Sequence, residues 1–521
     1  MNLATALELA VHRYPEAEAI ITPTARFSYQ EWNCRINVLA WKLLKLGVEQ
    51  GDSVAICAAN GEGPATAYFA VQKIGATAVF LHSRWKHQQL AYALNEADAV
   101  AVFYDHWTQA EVKKAASLCR RQIIKIMINA ENCSTFDNKT FSYENLVSNP
   151  TSINPGIPRR CSSIGTILYT SGTTGEPKGV CRSCSSDYFA SLALILGHRW
   201  SYFERVLAVM PLYHTMGLHT LISMVLLNGA CILLPQIDPA ECIELIESEK
   251  VSALYLVPTV FHDLTRHLDA HKRKLAVTKL AYAGAPMAPS LVQKCRALFS
   301  PEVFVNQYGC TEMLAITINA DLLQYPLSAG RPALHSRIRI VAASKSGSAL
   351  PHEVVPQGEI GEIIVDASSP QAFSGYLKKP EKTKQVLRDG WYYTGDLGFF
   401  DSKMNLHLSG RLDNMIISGG ENIYPHEVES VLLQHSMVRE AAVIGLPDKR
   451  WGEVVAAFIV PAAPELDQLE LDRFCLENTG LARYKRPRKY YFVQEIPKSA
   501  AGKVLYFLLK KHILKTADNN T

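Results

Sequence analysis

The sequence predicts a large α/β body followed by a small α+β domain. The first observation behind this is that short apolar runs (VAICAA at 54–59, ATAVFL at 76–81, AVAVFY at 99–104) alternate with helical segments at 63–74 and 87–96. That is the rhythm of crossover units around a largely parallel sheet. The second is that the rhythm returns at 206–210, 230–234, 253–257 and 280–283. The third is a change of texture after Gly410: short strands (MIIS, AAVIGL, VVAAFIV), a helix over 425–435 and a basic, proline-containing turn, which is the make-up of a small α+β domain. The expected division is a body over 1–409, a boundary at 410–413 and a second domain over 414–521.

The remaining elements follow from local pattern. The first nineteen residues carry Glu8 and His12 inside an apolar stretch and lack the basic start and small-residue cleavage site of a secretory leader, so they read as an amphipathic helix. The polar, proline-rich segment 148–163 is a connection inside the body, because the α/β pattern resumes at 164–169. The most apolar stretch, 218–235, is interrupted by His219, Asn228 and Gly229. It falls short of a membrane span and predicts a buried helix followed by a buried strand. No tandem repeat or low-complexity tract is found.

Length and composition set outer limits. A chain of 521 residues exceeds what one core ordinarily organises. With 48% hydrophobic and 20% charged residues it is an ordinary globular sequence. A net charge of +4 from 53 basic and 49 acidic residues is too weak for general affinity to nucleic acid or membrane surfaces. Twelve cysteines, of which only Cys181 and Cys184 are spaced as a CxxC pair and none belongs to a cluster at zinc spacing, argue against a disulfide scaffold or a structural metal and for a reducing, cytoplasmic compartment.

The segment LYTSGTTGEPKGV at 168–180 follows an apolar run and holds three glycines, four small hydroxyl residues and a lysine. Glycines let the backbone approach phosphate oxygens, hydroxyl and N–H groups donate to them, and the lysine adds positive charge. It is not a Walker loop, since no G-x-x-x-x-G-K-[ST] can be read. This segment resembles the signature YTSGTTGxPKG of the ANL superfamily of adenylate-forming enzymes, and matches it in full. The group takes in acyl- and aryl-CoA synthetases, peptide-synthetase adenylation domains and luciferases. By that resemblance Thr170, Ser171, Gly172, Thr173, Thr174 and Lys178 bind ATP.

The resemblance runs on through the chain. NQYGCTE at 306–312 is similar to the family's YGxTE motif. It implies that adenine stacks on Tyr308, with Gln307 and Gly309 beside it, and that Thr311 and Glu312 face phosphate and Mg²⁺. A flat ring, a hydroxyl donor and a hard oxygen ligand suit those roles. WYYTGD at 391–396 implies that Asp396 holds the ribose hydroxyls; met alone, such an aspartate is more often a turn residue. SGRLDNMIISGGENIYPHEVE at 409–429 is similar to the interdomain signature, with Arg411 on ribose or phosphate and Asp413 as the hinge. PKSAAGK at 497–503 is similar to PKxxxGK, whose final lysine, here Lys503, bridges the substrate carboxylate and the α-phosphate during adenylation.

The texture is closest to aryl- and acyl-CoA ligases of the 4-chlorobenzoate type, through MPLYH, FSGYL, SGGENIYPHEVE and RWGEVV. In these the Gly419–Gly420 region lines the pantetheine tunnel, while Trp451 and Arg486 correspond to residues meeting the CoA nucleotide. The basic turn RYKRPRK at 483–489 suits a 3′-phosphate, its bland alternatives being a solvated loop or a nuclear signal. The resemblance also places Ala283, Gly284 and Ala285 beside the nucleotide and the acid. It makes His214 the ring next to the substrate carboxylate, where a histidine read alone is more often a satisfied core residue.

Peptide-synthetase adenylation domains hold the α-amino group with an aspartate soon after the position of His214; here the stretch reads YHTMG at 213–217, so the resemblance disfavours amino acids. Thr215, Met216, Leu314 and Ala315 describe an apolar, adaptable pocket for an aromatic acid or a medium aliphatic chain. Cys310 and the His335-Ser336 pair depart from the usual pattern. The implied reaction is ATP- and Mg²⁺-dependent formation of acyl-AMP from a small carboxylic acid. Rotation of the small domain about Asp413 then admits a thiol, giving an acyl-CoA. Two alternatives stand beside it: transfer to a carrier-protein pantetheine, expected to act in trans because the sequence ends soon after Lys503, and a catalytically silent nucleotide-binding sensor.

Overall fold

The computed structural model describes residues 2–129, 139–157, 160–171, 177–344, 349–498, 504–506 and 508–509. The chain divides into two compact units, one of residues 1–337 with 366–390 and one of residues 338–365 with 391 onward. Residues 410–413 therefore lie inside the second unit.

The first unit holds two large sheets. One has strand order Arg331–Pro332, Thr317–Asn319, Val303–Tyr308, Lys279–Ala283, Ala253–Leu256, Arg205–Ala208, Ala230–Leu233, Glu18–Ile21, Arg26–Ser28. Its six central strands run parallel. The other is ordered Gly375–Tyr376, Pro177–Ser183, Ile164–Ser171, Thr77–Phe80, Ser53–Cys57, Ala99–Tyr104, Ile124–Met127, Thr140–Ser142. It is parallel from Ile164–Ser171 onward. Strands such as Ala99–Tyr104 and Ala253–Leu256 are buried throughout, which is why they read as unbroken apolar runs rather than alternating ones. The N-terminal helix Leu3–Arg13 buries Leu3, Ala6, Leu7 and Ala10 on one face. The apolar stretch near 218–235 is the helix Thr215–Leu227 followed by the strand Ala230–Leu233, separated by Asn228 in the left-handed region. No described helix is long and apolar enough to cross a membrane.

The second unit contains an antiparallel sheet of Ile338–Val341, Gly361–Asp366, Trp391–Phe400 and Leu406–Arg411. The 3₁₀ turn Leu412–Asn414 leads from it into a second sheet. There the order is Glu421–Ile423, Ile416–Ser418, Gly452–Pro461, Val438–Asp448, with Lys489–Phe492 parallel to Gly452–Pro461. Side chains alternate along these strands. Val443, Val455, Ala457 and Ile459 pack with Val428 and Leu432 of helix Pro425–Leu432, while Ile444, Leu446, Ala456 and Phe458 face Ile496 and Leu509. Both faces are covered, which accounts for the apolar run VVAAFIV.

Candidate active site

In open parallel sheets, ligands bind beyond the carboxyl ends of the strands. The candidate residues of the first unit cluster there. Ala283 and Gln307 are register partners at the ends of adjacent parallel strands. Ala283 continues into Gly284 and Ala285, and Gln307 into Tyr308, Gly309, Thr311 and Glu312. Gly309 is required by close approach: a Cβ there would lie 1.8 Å from the Leu314 carbonyl oxygen. The loop returns on itself through Cys310 N–H donating to Met313 O and Ile316 N–H donating to Tyr308 O.

A short segment, 371–376, backs this loop. Gln371 is fully buried, and its side-chain amide both accepts from Ala315 N–H at 3.1 Å and donates to Ala315 O at 2.7 Å. Phe373 N–H donates to Glu312 O. Tyr376 Oη donates to Glu312 Oε1 at 2.7 Å. The Lys178 ammonium stands 5.4 Å from the centroid of the same tyrosine ring. Lys178 is carried by the strand Pro177–Ser183, whose partner strand ends at Thr170 and Ser171; Thr170 and Lys178 are cross-strand neighbours. Gly172, Thr173 and Thr174 lie outside the described residues, and so does Lys503.

Gln307 is 2% exposed, and its amide is committed inward. Its Oε1 is 2.9 Å from His198 Nε2, and its Nε2 donates to Leu314 O. Burial pushes the His198 imidazole down to about 3, so the ring is neutral near neutrality. Leu314 and Ala315 are buried, while Thr215 and Met216 are half-buried at the start of the helix Thr215–Leu227. His214, just before them, is exposed and meets the ring of Tyr213 at 4.7 Å and that of His82 at 5.8 Å. His82 also stacks on Trp85.

Beneath the site lies a buried ionic group that motif reading did not find. Arg182, 0% exposed, donates through Nε to Asp187 Oδ1 at 2.5 Å, through Nη1 to Thr311 O at 2.9 Å, and through Nη2 to Ser186 O and Gln371 O. His219 Nε2 is 3.3 Å from the same Asp187 oxygen, and its Nδ1 is 2.9 Å from Thr215 O. Burial would push the Asp187 carboxyl up, but Arg182 and His219 beside it hold it at about 2.

In the second unit Asp396 and Arg411 are register partners joined by an ion pair of 2.7 Å, and Arg411 also donates to Thr394 O. Asp413 is exposed in the turn that follows. Gly419 has φ +60 and touches Trp451: a Cβ would meet the indole at 2.8 Å, and Gly419 N–H donates to Trp451 O. Trp451 is 42% exposed, with the Arg450 guanidinium 4.7 Å over its ring. Gly420, also at positive φ, is exposed. Arg486 is paired with Asp472 at 2.9 Å.

Of these, Arg182, His198, Gln371 and Tyr376 were missed as site residues; only Tyr376 had a sequence signal, in FSGYL.

Residues 7–377 match the AMP-binding enzyme family, and residues 427–503 match the AMP-binding enzyme C-terminal domain. The chain is 33% identical to a 4-chlorobenzoate–CoA ligase of Arthrobacter sp, over 98% of this chain and 96% of that one. It is 30% identical to a 2-succinylbenzoate–CoA ligase of Bacillus cereus (strain Q1), over 94% and 95%. The O-succinylbenzoate coenzyme A synthetase of Bacillus subtilis, solved with ATP and magnesium ion, superposes with a TM-score of 0.81 at 27% identity, covering 97% of this chain and 99% of that one.

Proposed function

Because this chain belongs to the AMP-binding enzyme family, we propose that it is an acid–thiol ligase that activates an aromatic or medium-chain carboxylic acid as its acyl-adenylate and transfers the acyl group to coenzyme A. The observation that carries this reading is the grouping of Lys178, Tyr376 and Glu312 beside the loop that bears Tyr308 and Thr311, beyond the carboxyl ends of parallel strands. Full-length likeness to aryl-CoA ligases supports it.

In the first half-reaction a substrate carboxylate oxygen bonds to the α-phosphorus of ATP, the bond from that phosphorus to the bridging oxygen breaks, and pyrophosphate leaves. Tyr308 offers its ring to adenine, and Thr311, Lys178 and the 170–174 loop bind phosphate oxygens. Lys503 offsets the charge that develops at the reacting centre. The Glu312 carboxylate, oriented by Tyr376, fits a hard divalent cation; Mg²⁺ held there would supply further charge neutralisation.

In the second half-reaction the CoA thiol, losing its proton, bonds to the acyl carbon and AMP leaves. Asp413 acts as the hinge between the two states, while Asp396 and Arg411 serve the ribose and phosphate. Gly419, Gly420, Trp451 and Arg486 receive CoA, and His214 stands beside the acyl carbon. Thr215, Met216, Leu314 and Ala315 shape the acyl pocket. The scattered thiols suit a cytoplasmic enzyme.

The test is pyrophosphate release with ATP and Mg²⁺ across benzoates, cinnamates and short- to long-chain fatty acids, with and without CoA. Selective release that turns over only with CoA is expected. A selective burst that CoA does not relieve would redirect the acyl group to a carrier protein, and no release with any acid would sink the reading.

A further inference from the structure

Burying an arginine, an aspartate and a histidine together is costly, and an apolar trio of similar volume is often as stable or more so. Here the group is not even fully satisfied. Among the described residues Asp187 Oδ2 has no hydrogen-bond partner, and His219 Nε2 lies close to Asp187 without hydrogen-bond alignment. Stability alone is a poor reason for such a cluster.

Its connections suggest another. Arg182 leaves the phosphate strand Pro177–Ser183 and grips the Thr311 carbonyl, next to Glu312. It also grips the carbonyl of Gln371, whose side chain pins Ala315. Asp187, on the helix Cys184–Gly197, joins Arg182 to His219, and His219 contacts the carbonyl of Thr215, the first residue of the helix that begins the acyl side of the pocket. The nucleotide loop and the acyl helix, 96 residues apart in sequence by the difference between Thr311 and Thr215, are thereby joined by one chain of polar contacts through the core.

We propose that Arg182, Asp187 and His219 are positioning residues that couple nucleotide binding at the Thr311–Glu312 loop to the order of the helix start at Thr215–Met216, so that a bound nucleotide prepares the acyl side of the site. The inference rests on the reading of Thr311 and Glu312 as the nucleotide loop. A continuous run of buried polar contacts can pass on ordering without a large movement: when one end is held, the other has fewer arrangements open to it. Reciprocity requires that ordering of the acyl side also favour nucleotide binding.

The test uses the full chain and Mg²⁺ with α,β-methylene-ATP, and reads amide hydrogen exchange on peptides covering 309–316 and 214–220. In the wild type the analogue is expected to slow exchange in both peptides, by about fivefold or more at 214–220, the lower end of ordinary coupling between sites. In His219→Gln, which keeps a polar group but cannot span Asp187 and the Thr215 carbonyl together, slowing at 309–316 should persist while that at 214–220 is lost. Arg182→Lys is the second variant, cutting the chain at its other end, and it should give the same separation. Equal slowing at 214–220 in the wild type and in either folded variant overturns the coupling. Absence of slowing at 309–316 in the wild type overturns instead the nucleotide reading beneath it.

Discussion

The hydroxyl of Tyr376 donates to Glu312 Oε1 at 2.7 Å, fixing one oxygen of that carboxylate. Glu312 sits in a loop and Tyr376 in a two-residue strand paired with Val180 and Cys181. The orientation of the acid is thus tied to the strand that also carries Lys178.

Tyr376→Phe removes that donor and keeps the ring beside Lys178. A hydrogen bond to a charged group contributes about 1.5–3 kcal/mol, so the Mg²⁺ concentration for half-maximal pyrophosphate release should rise roughly tenfold. The rate at saturating Mg²⁺ should change little. A fall in the saturating rate with unchanged Mg²⁺ dependence would show that Tyr376 acts elsewhere.

Lys503→Ala should lower acyl-AMP formation by about two to three orders of magnitude, the scale of losing one well-aimed charge-stabilising group. Thioester formation from supplied acyl-AMP should be spared. Equal loss in both half-reactions, measured separately by quenched flow, contradicts a role confined to adenylation.

Trp451→Ala should raise the CoA concentration needed for thioester formation while leaving pyrophosphate release in single turnovers nearly unchanged. The indole is half-exposed and supported by Arg450 and Gly419, so its loss should cost contact area for a ligand rather than core packing. An unchanged CoA dependence removes Trp451 from the site.

His198 gives a pH dependence of stability. Its folded-state value of about 3 lies below the ordinary 6.5 because the ring is buried. The unfolded chain therefore takes up the proton first as pH falls through 6.5, and stability drops on acidification down to about 3. Between about pH 7 and about pH 5 this one residue should account for roughly 2 kcal/mol of lost stability. Urea unfolding of His198→Gln, which keeps a donor for Gln307, should show that much less decline over the same interval. An undiminished decline would assign the acid sensitivity to other groups.

What local pattern encodes, the sequence disclosed. The helix expected at 87–96 is His87–Glu96, and the apolar interruption at Asn228 is a helix end. The motif residues Tyr308, Thr311 and Glu312 share one loop because they are near neighbours in sequence. Partnerships across the chain left no such trace. Arg182 and Thr311 are 129 residues apart, and Gln371 and Ala315 are 56 apart. A lone arginine in PKGVCRS looks like any solvated charge until the elements that enclose it are assembled. Sheet order is hidden for the same reason: Glu18–Ile21 pairs with Ala230–Leu233, and neither segment carries a mark of the other.

Gln371 meets Ala315 as another strand would, accepting from its N–H and donating to its carbonyl with a side chain in place of a backbone. The main chain at Ala315 is thereby fastened independently of the side chains around it. On the proposed reading of Thr215, Met216 and Leu314 as the acyl pocket, mutational libraries at these positions should change acid preference while Ala315 stays in register, whereas a library that includes Gln371 should lose members to misplacement of Ala315 before any new acid could be tried.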